Sequence, residues 1–238
     1  MTKEMQNKII TMVVLNIALL AIISYFMLGH RVWIAPHLPP AVNDFMGLIG
    51  WWFFLPIPTI LLMVRDKERP RDIGFTMEKL PKQILLGIAL AVPLLAVFAI
   101  GVPGLFGLVE WHWGGADQLN IGWIFASLAY NLLIVGLFEE VIYRGHMFKK
   151  LQDIHAAPWF AILITSVSFG ALHIPSYVIR GDPMFPGEVS GWFYVLFATA
   201  IGAAFGLCRA KGATLITLIV SHAVYNVVFT TVLAYMYY

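Results

Sequence analysis

Three short patterns carry the side chains that could do chemistry: Glu139, Glu140 and Arg144 in FEEVIYRGH, Phe169 and His173 in SFGALHIP, and His222 and Asn226 in SHAVYN. A carboxylate can take a proton from water, a neutral imidazole can accept or donate one or bind a metal, and an amide offers two donors. That set is the minimum for hydrolysing an amide: a base for the attacking water and donors for the oxyanion. Spacing gives the two glutamates unequal parts. At about 100° per residue, positions four apart share a helix face, so Glu140 lies over Arg144 while Glu139 swings to another face. Glu140 can therefore be neutralised within its own helix. Glu139 must look into the bundle for a partner, which makes it the freer carboxylate and the better base. The same spacing aligns Phe169 with His173 and His222 with Asn226. Each group alone has a plainer use, as a charge cluster at a span end or as a hydrogen bond between helices. Their joint occurrence on three apolar segments points to chemistry.

The elements that position them are set by composition. Of 238 residues, 60% are hydrophobic and 12% charged, with a mean hydropathy of +0.82. A water-soluble fold could not hide that much apolar surface, and the apolar residues fall in long uncharged runs. The fold expected is an all-α, polytopic transmembrane helix bundle forming one integral membrane domain over 1–238. Its spans are expected near 9–29, 45–64, 83–108, 121–143, 157–179, 191–208 and 212–235, about seven in all. Pro56 and Pro58 should distort the second span, and Pro93 and Pro103 should kink or end the third. No fixed-period repeat or low-complexity tract interrupts the chain, and its longest polar connection is Arg65 to Lys82.

Charge then sets orientation, because loops facing the cytoplasm carry the Lys and Arg excess. With the N-terminus cytoplasmic, Lys3, Lys8, Arg65, Lys67, Arg69, Arg71, Lys79, Lys82, Arg144, Lys149, Lys150, Arg209 and Lys211 fall on one side, thirteen of fifteen basic residues. Only Arg31 and Arg180 fall on the other. A span missed in mid-chain would have scrambled that alternation. The formal charge of +2 gives no sign of a nucleic-acid partner. Trp33, Trp51, Trp52, Trp111, Trp113, Trp192, Tyr235, Tyr237 and Tyr238 lie near span ends as interfacial anchors. The run Ile9 to Leu28 exceeds a signal-peptide core and lacks a small-residue exit, so it reads as a retained anchor helix. Cys208 is the single cysteine and reads as a small apolar filler.

In family order and on late helices, these motifs resemble those of the CAAX prenyl protease and bacteriocin-processing family, also called CPBP or abortive-infection proteins. Its patterns are EExxxR, FxxxH and HxxxN or HxxxD. Glu139, Glu140 and Arg144 match the first, Phe169 and His173 the second, and His222 and Asn226 the third. The resemblance covers roughly Ala126 to Val227 and implies a catalytic core at about 121–235. It implies that Glu139 and His173 activate the water and that His222 and Asn226 hold the oxyanion. Glu140, Arg144 and Phe169 would support the site. Two histidines and a glutamate could bind zinc. The family, however, is viewed as using a glutamate without a required metal, and the chain has no HExxH, so no metal and no cofactor are expected.

Other intramembrane protease motifs are missing, since the sequence contains neither GxSG nor GxGD, and Ser190 in GEVSGW reads as a loop serine before a helix. His30, His37, His112, His146 and His155 sit at span ends or in loops. Of these, His146 stands next to the first motif. Counting about 1.5 Å per residue from the basic ends puts Glu139 and His222 at a depth on the order of 15 Å, with His173 deeper. The expected activity is cleavage of a membrane-associated or lipidated peptide near its C-terminus in the plasma membrane. The site would open to the cytoplasm or laterally to lipid. A host that prenylates proteins would favour CAAX tails, and a bacterial host a bacteriocin, pheromone or other membrane peptide. A contrasting reading is a non-proteolytic adaptor or immunity protein that keeps the polar cluster to bind a partner membrane protein. A transporter would show paired broken helices in two halves, which the sequence lacks.

Overall fold

The computed structural model describes residues 3–25, 37, 54–105, 120–155, 157–179 and 190–232. Residues 45–53 of the expected second span and many of the expected interfacial aromatic residues, including Trp33, Trp51, Trp52, Trp111 and Trp113, lie outside the described residues. So do Tyr235, Tyr237 and Tyr238, together with Arg31, Arg180, His30 and His112. The described residues form α1 (Lys3–Ser24), α2 (Ile57–Arg65), α3 (Leu80–Leu94, continuing through wider turns to Gly101) and α4 (Ile121–Ile154). Then follow α5 (Pro158–Ala171), α6 (Gly191–Ala210) and α7 (Leu215–Val227). Five of the described helices are long and apolar enough to cross a membrane, and α7 is a shorter apolar helix. The protein is an integral membrane helix bundle.

Local sequence explains the helix ends. Asn120 accepts from the Trp123 amide at 3.1 Å to start α4, Pro158 occupies the first turn of α5, and Thr214 accepts from the Thr217 amide at 3.3 Å to start α7. Thr214 also donates to buried Gln83, which ties the start of α7 to the start of α3. Pro56 precedes α2 and Pro58 sits in its first turn, so the prolines begin that helix after a turn at Leu55–Pro56. Behind Pro93, α3 widens into π-type turns over Leu95–Gly101, as the missing amide donor and the ring's bulk require.

One boundary differs from expectation. The fourth span does not end at residue 143: α4 runs on to Ile154, through π-type turns at Asn131–Val135 and Val141–Met147 that flank a short α-helical stretch, Gly136–Glu140. Arg144, expected at a loop-facing end, is consequently inside the bundle and fully buried. The helix continues because Arg144 has a partner one turn earlier, and a paired charge need not mark a membrane surface.

The helices approach closely where glycine allows it. A Cβ at Gly170 of α5 would lie 1.9 Å from Thr199 Oγ1 and 2.9 Å from the Val195 carbonyl of α6, and one at Gly136 of α4 would lie 3.2 Å from the Ile219 carbonyl of α7. Lipid supplies no hydrophobic drive between helices, so this packing carries their association.

The segment after α2 is docked rather than loose. Asp66 receives Lys150 at 2.7 Å, and Glu68 receives Lys149 and Lys150 at 3.0 Å each and His146 at 2.6 Å. Ile73 is buried with Leu215 and Ile219, the Leu215 amide donates to Gly74 O at 3.0 Å, and Arg209 donates to Ile73 O at 3.1 Å. The hydrogen bond from Arg65, with that from Lys150, outweighs burial and holds the Asp66 carboxyl down at about 2. At Glu68, burial pushes the carboxyl up, but its hydrogen bonds from Lys149, Lys150 and His146 prevail and leave it below its ordinary value.

A folded-state value below the unfolded one means that stability is present in full above the unfolded value. It declines as pH falls toward the folded value, because the unfolded chain then binds protons that the folded one does not. Thermal melting in detergent should therefore show stability falling from about pH 5 toward pH 3. The fall should be shallower in an Asp66→Asn, Glu68→Gln variant. An equal fall in both proteins would show that this docking contributes nothing to the acid response.

Candidate active site

The site is assembled where α4, α5, α6 and α7 meet. Arg144 is fully buried and spends its guanidinium on Glu140 Oε1 at 3.2 Å and on Gly202 O of α6 at 3.1 Å. Its cation also lies 4.6 Å from the Phe169 ring centre and 5.5 Å from that of Phe205, distances at which ring faces attract a cation. Gly202 is what admits it: a Cβ there would lie 3.3 Å from Arg144 Nη2 and 3.3 Å from the Phe169 ring. Arg209 completes the support by donating to the Arg144 carbonyl at 3.0 Å, inside the wide turn.

His222 of α7 stands between the two glutamates. Its Nδ1 is 2.9 Å from Glu140 Oε1, and its Nε2 is 3.5 Å from Glu139 Oε2. An imidazole carries its nitrogens on different edges, so one ring can meet two carboxylates that leave their helix about 100° apart. The partner that Glu139 needed across the bundle is this ring. All three side chains are buried, and the ring is further held by Phe205, stacked with ring centres 5.4 Å apart.

His173 reaches the cluster from the turn after α5. Its Nδ1 is 2.9 Å from the Phe169 carbonyl, which can only accept, so Nδ1 carries a proton and in the neutral ring Nε2 is the acceptor. The ring stacks on Tyr177 at 5.7 Å and lies 5.0 Å from the Phe169 ring, whose centre is also 6.3 Å from His222. The Phe169 ring thus lies near both imidazoles, and among the described residues no hydrogen bond or ion pair joins His173 to Glu139. Asn226 is one turn beyond His222 on α7, and its Nδ2 donates to Asn131 Oδ1 of α4 at 2.9 Å.

Asn131 was not singled out by motif reasoning. The signal for it was present, since it is an amide in the middle of an apolar span and needs a partner there by the same rule that drew attention to Glu139. Of the other histidines, His146 of α4 is fully buried against Glu68 of the docked segment rather than at a span end, whereas His155 packs on Trp159 and Phe160 beyond the end of α4. Among the described residues no group of three or more His, Cys, Asp or Glu is arranged to hold a metal ion, and both nitrogens of His222 already face carboxylates.

Residues 121–228 match the family described as Type II CAAX prenyl endopeptidase Rce1-like. The resemblance drawn from the three motifs holds over this segment, which contains every residue of the cluster, and membership of the CPBP family is consistent with it. That family is described as one of CAAX prenyl endopeptidases, and the match spans a little under half of the chain. No curated protein and no solved structure matches the chain.

The buried ion pair makes a direct forecast. Removing one member of a buried pair leaves an uncompensated charge and costs roughly 3–5 kcal/mol. Arg144→Met should accordingly lower the melting temperature sharply in detergent, and Glu140→Gln in the same chain should restore part of the loss. A melting curve for Arg144→Met matching the parent's would contradict the pairing.

Proposed function

We propose that the chain is an intramembrane peptidase in which Glu139 acts as general base on a water molecule. The single observation that carries this reading is His222 lying between Glu139 and Glu140, with the Asn226 amide one turn away. Glu140 is engaged by Arg144 and by His222 Nδ1, which leaves Glu139 as the carboxylate available for proton transfer. His173 presents Nε2 as an acceptor that can orient the water toward Glu139. The water gives its proton to Glu139 as its oxygen attacks the peptide carbonyl. Charge develops on the carbonyl oxygen, where donors already in place lower the barrier. His222 Nε2–H and Asn226 Nδ2–H are those donors. For His222 to donate there while Nδ1 donates to Glu140, its ring carries both protons; Glu140 already offsets Arg144, so Glu139 supplies the compensating charge. As the intermediate collapses, Glu139 returns its proton to the leaving amine, and both products leave neutral at the cleaved bond.

The substrate class is a membrane-associated or lipidated peptide cut near its C-terminus, with a prenylated CAAX tail as the form to try first. The catalytic core of the single membrane domain is about 121–235. The N-terminus and the basic connections face the cytoplasm of the plasma membrane, and substrate enters from that side or from lipid.

The test compares the parent protein with Glu139→Gln in liposomes on a library of quenched fluorogenic peptides, prenylated and not, with membrane-anchored C-termini. Loss of a positioned general base lowers turnover by about 100-fold or more, with an unchanged melting temperature. Equal cleavage by both proteins sinks Glu139 as the base. Cleavage by neither, with retained capture of a partner membrane protein, identifies the adaptor instead.

A further inference from the structure

Asn131 lies on α4 eight residues before Glu139, buried to 7% exposure. Its Nδ2 donates to the Ser127 carbonyl at 2.8 Å, and its Oδ1 accepts from Asn226 Nδ2 at 2.9 Å. A backbone carbonyl cannot donate, so this chain of hydrogen bonds has only one direction. Ser127 O must face the Asn131 amine, Asn131 must offer its oxygen, and Asn226 must therefore offer N–H. We propose that Asn131 is a positioning residue that locks the Asn226 amide in one of its two flip states, reserving the second Asn226 N–H for the oxyanion. The role rests on the functional reading above.

The physical need for such a lock is specific. The terminal torsion of asparagine is broad and roughly two-fold, so an unlocked amide can present oxygen where nitrogen was. Oxygen lone pairs facing a developing oxyanion would raise the barrier that the N–H lowers. Among the described residues Asn226 Nδ2 has Asn131 as its hydrogen-bond partner, which leaves one N–H uncommitted. A further consequence is that α4 carries both the base and the group that sets the polarity of a donor on α7. A shift between these helices would disturb proton transfer and oxyanion binding together.

An alternative use of the pair is ordinary adhesion between two helices, and the experiment separates the two. Turnover of a farnesylated fluorogenic CAAX peptide, or of the best substrate in the library, is measured for the parent, Asn131→Val, Asn226→Val and the double variant, each with its melting temperature. Loss of one oxyanion donor costs about 100- to 1,000-fold in kcat. Asn226→Val is expected in that range, Asn131→Val at about tenfold or more with KM unchanged, and the double variant no worse than Asn226→Val. Independent losses that multiply in the double variant, or an Asn131→Val enzyme with the parent's kcat, overturn the positioning role while leaving the peptidase reading intact. Parental turnover by Asn226→Val removes Asn226 from the oxyanion site and overturns the positioning role with it. Should Asn131→Val fail to fold, the parent protein with ¹⁵N-labelled asparagine still decides: ¹⁵N relaxation of the Asn226 side-chain amide should show it held as rigidly as the backbone of its helix. A side-chain amide reorienting freely about its terminal torsion refutes the lock.

Discussion

A guanidinium with no exposure sits among apolar helices, and the arrangement around it follows from that one constraint. Arg144 cannot lose its charge as Lys or His could, so everything within reach must compensate it. Glu140 supplies the countercharge, the Gly202 carbonyl accepts a second hydrogen bond, and Phe169 and Phe205 offer ring faces. These groups come from α4, α5 and α6. Satisfying Arg144 therefore brings three helices together, and His222 joins the fourth through the same oxygen of Glu140. The pair need not add much net stability to be decisive. Breaking it is costly, and that cost makes alternative packings of these helices unfavourable.

Small residues make the compensation geometrically possible. A Cβ at Gly202 would crowd the Arg144 guanidinium and the Phe169 ring, and one at Gly136 would crowd the Ile219 carbonyl where α4 meets α7, so glycine keeps both approaches close. Helix association in lipid rests on close packing and interhelical hydrogen bonds. The site and the seams that hold the bundle are consequently the same contacts. The docked segment from Asp66 to Gly74 extends this inward network through Glu68 to the basic end of α4, through Arg209 to the end of α6, and through Ile73 to the start of α7.

Much of this was legible in the residues alone. Long uncharged runs announced the spans, and the four-residue spacing of Glu140 and Arg144 stated their pairing before any coordinate did. The end of α4 was not legible, because a charge reads as a membrane boundary unless its partner is already credited, and Arg144 was counted among loop bases. The role of His222 as a bridge was also hidden. Spacing shows that Glu139 and Glu140 diverge, but only the placement of α7 shows that one ring can serve both. Asn131 escaped notice because motif reasoning looks for patterns within a helix, whereas its significance comes from Asn226, 95 residues away.

The wide turns of α4 connect these observations. Eight residues of regular α-helix turn through about 800°, which would leave Asn131 and Glu139 some 80° out of alignment. The π-type turn at Asn131–Val135 lies between them, and such a turn takes up one additional residue. The remaining seven steps amount to about 700°, within about 20° of two full turns. The widened helix brings Asn131 and Glu139 close to one line along α4 toward α7, where a regular one would leave them about 80° apart. Wide turns of this kind are less favourable than regular ones, and their position here coincides with the residues that must face one partner helix. In α4 the departure from regular geometry is therefore part of how the site is assembled.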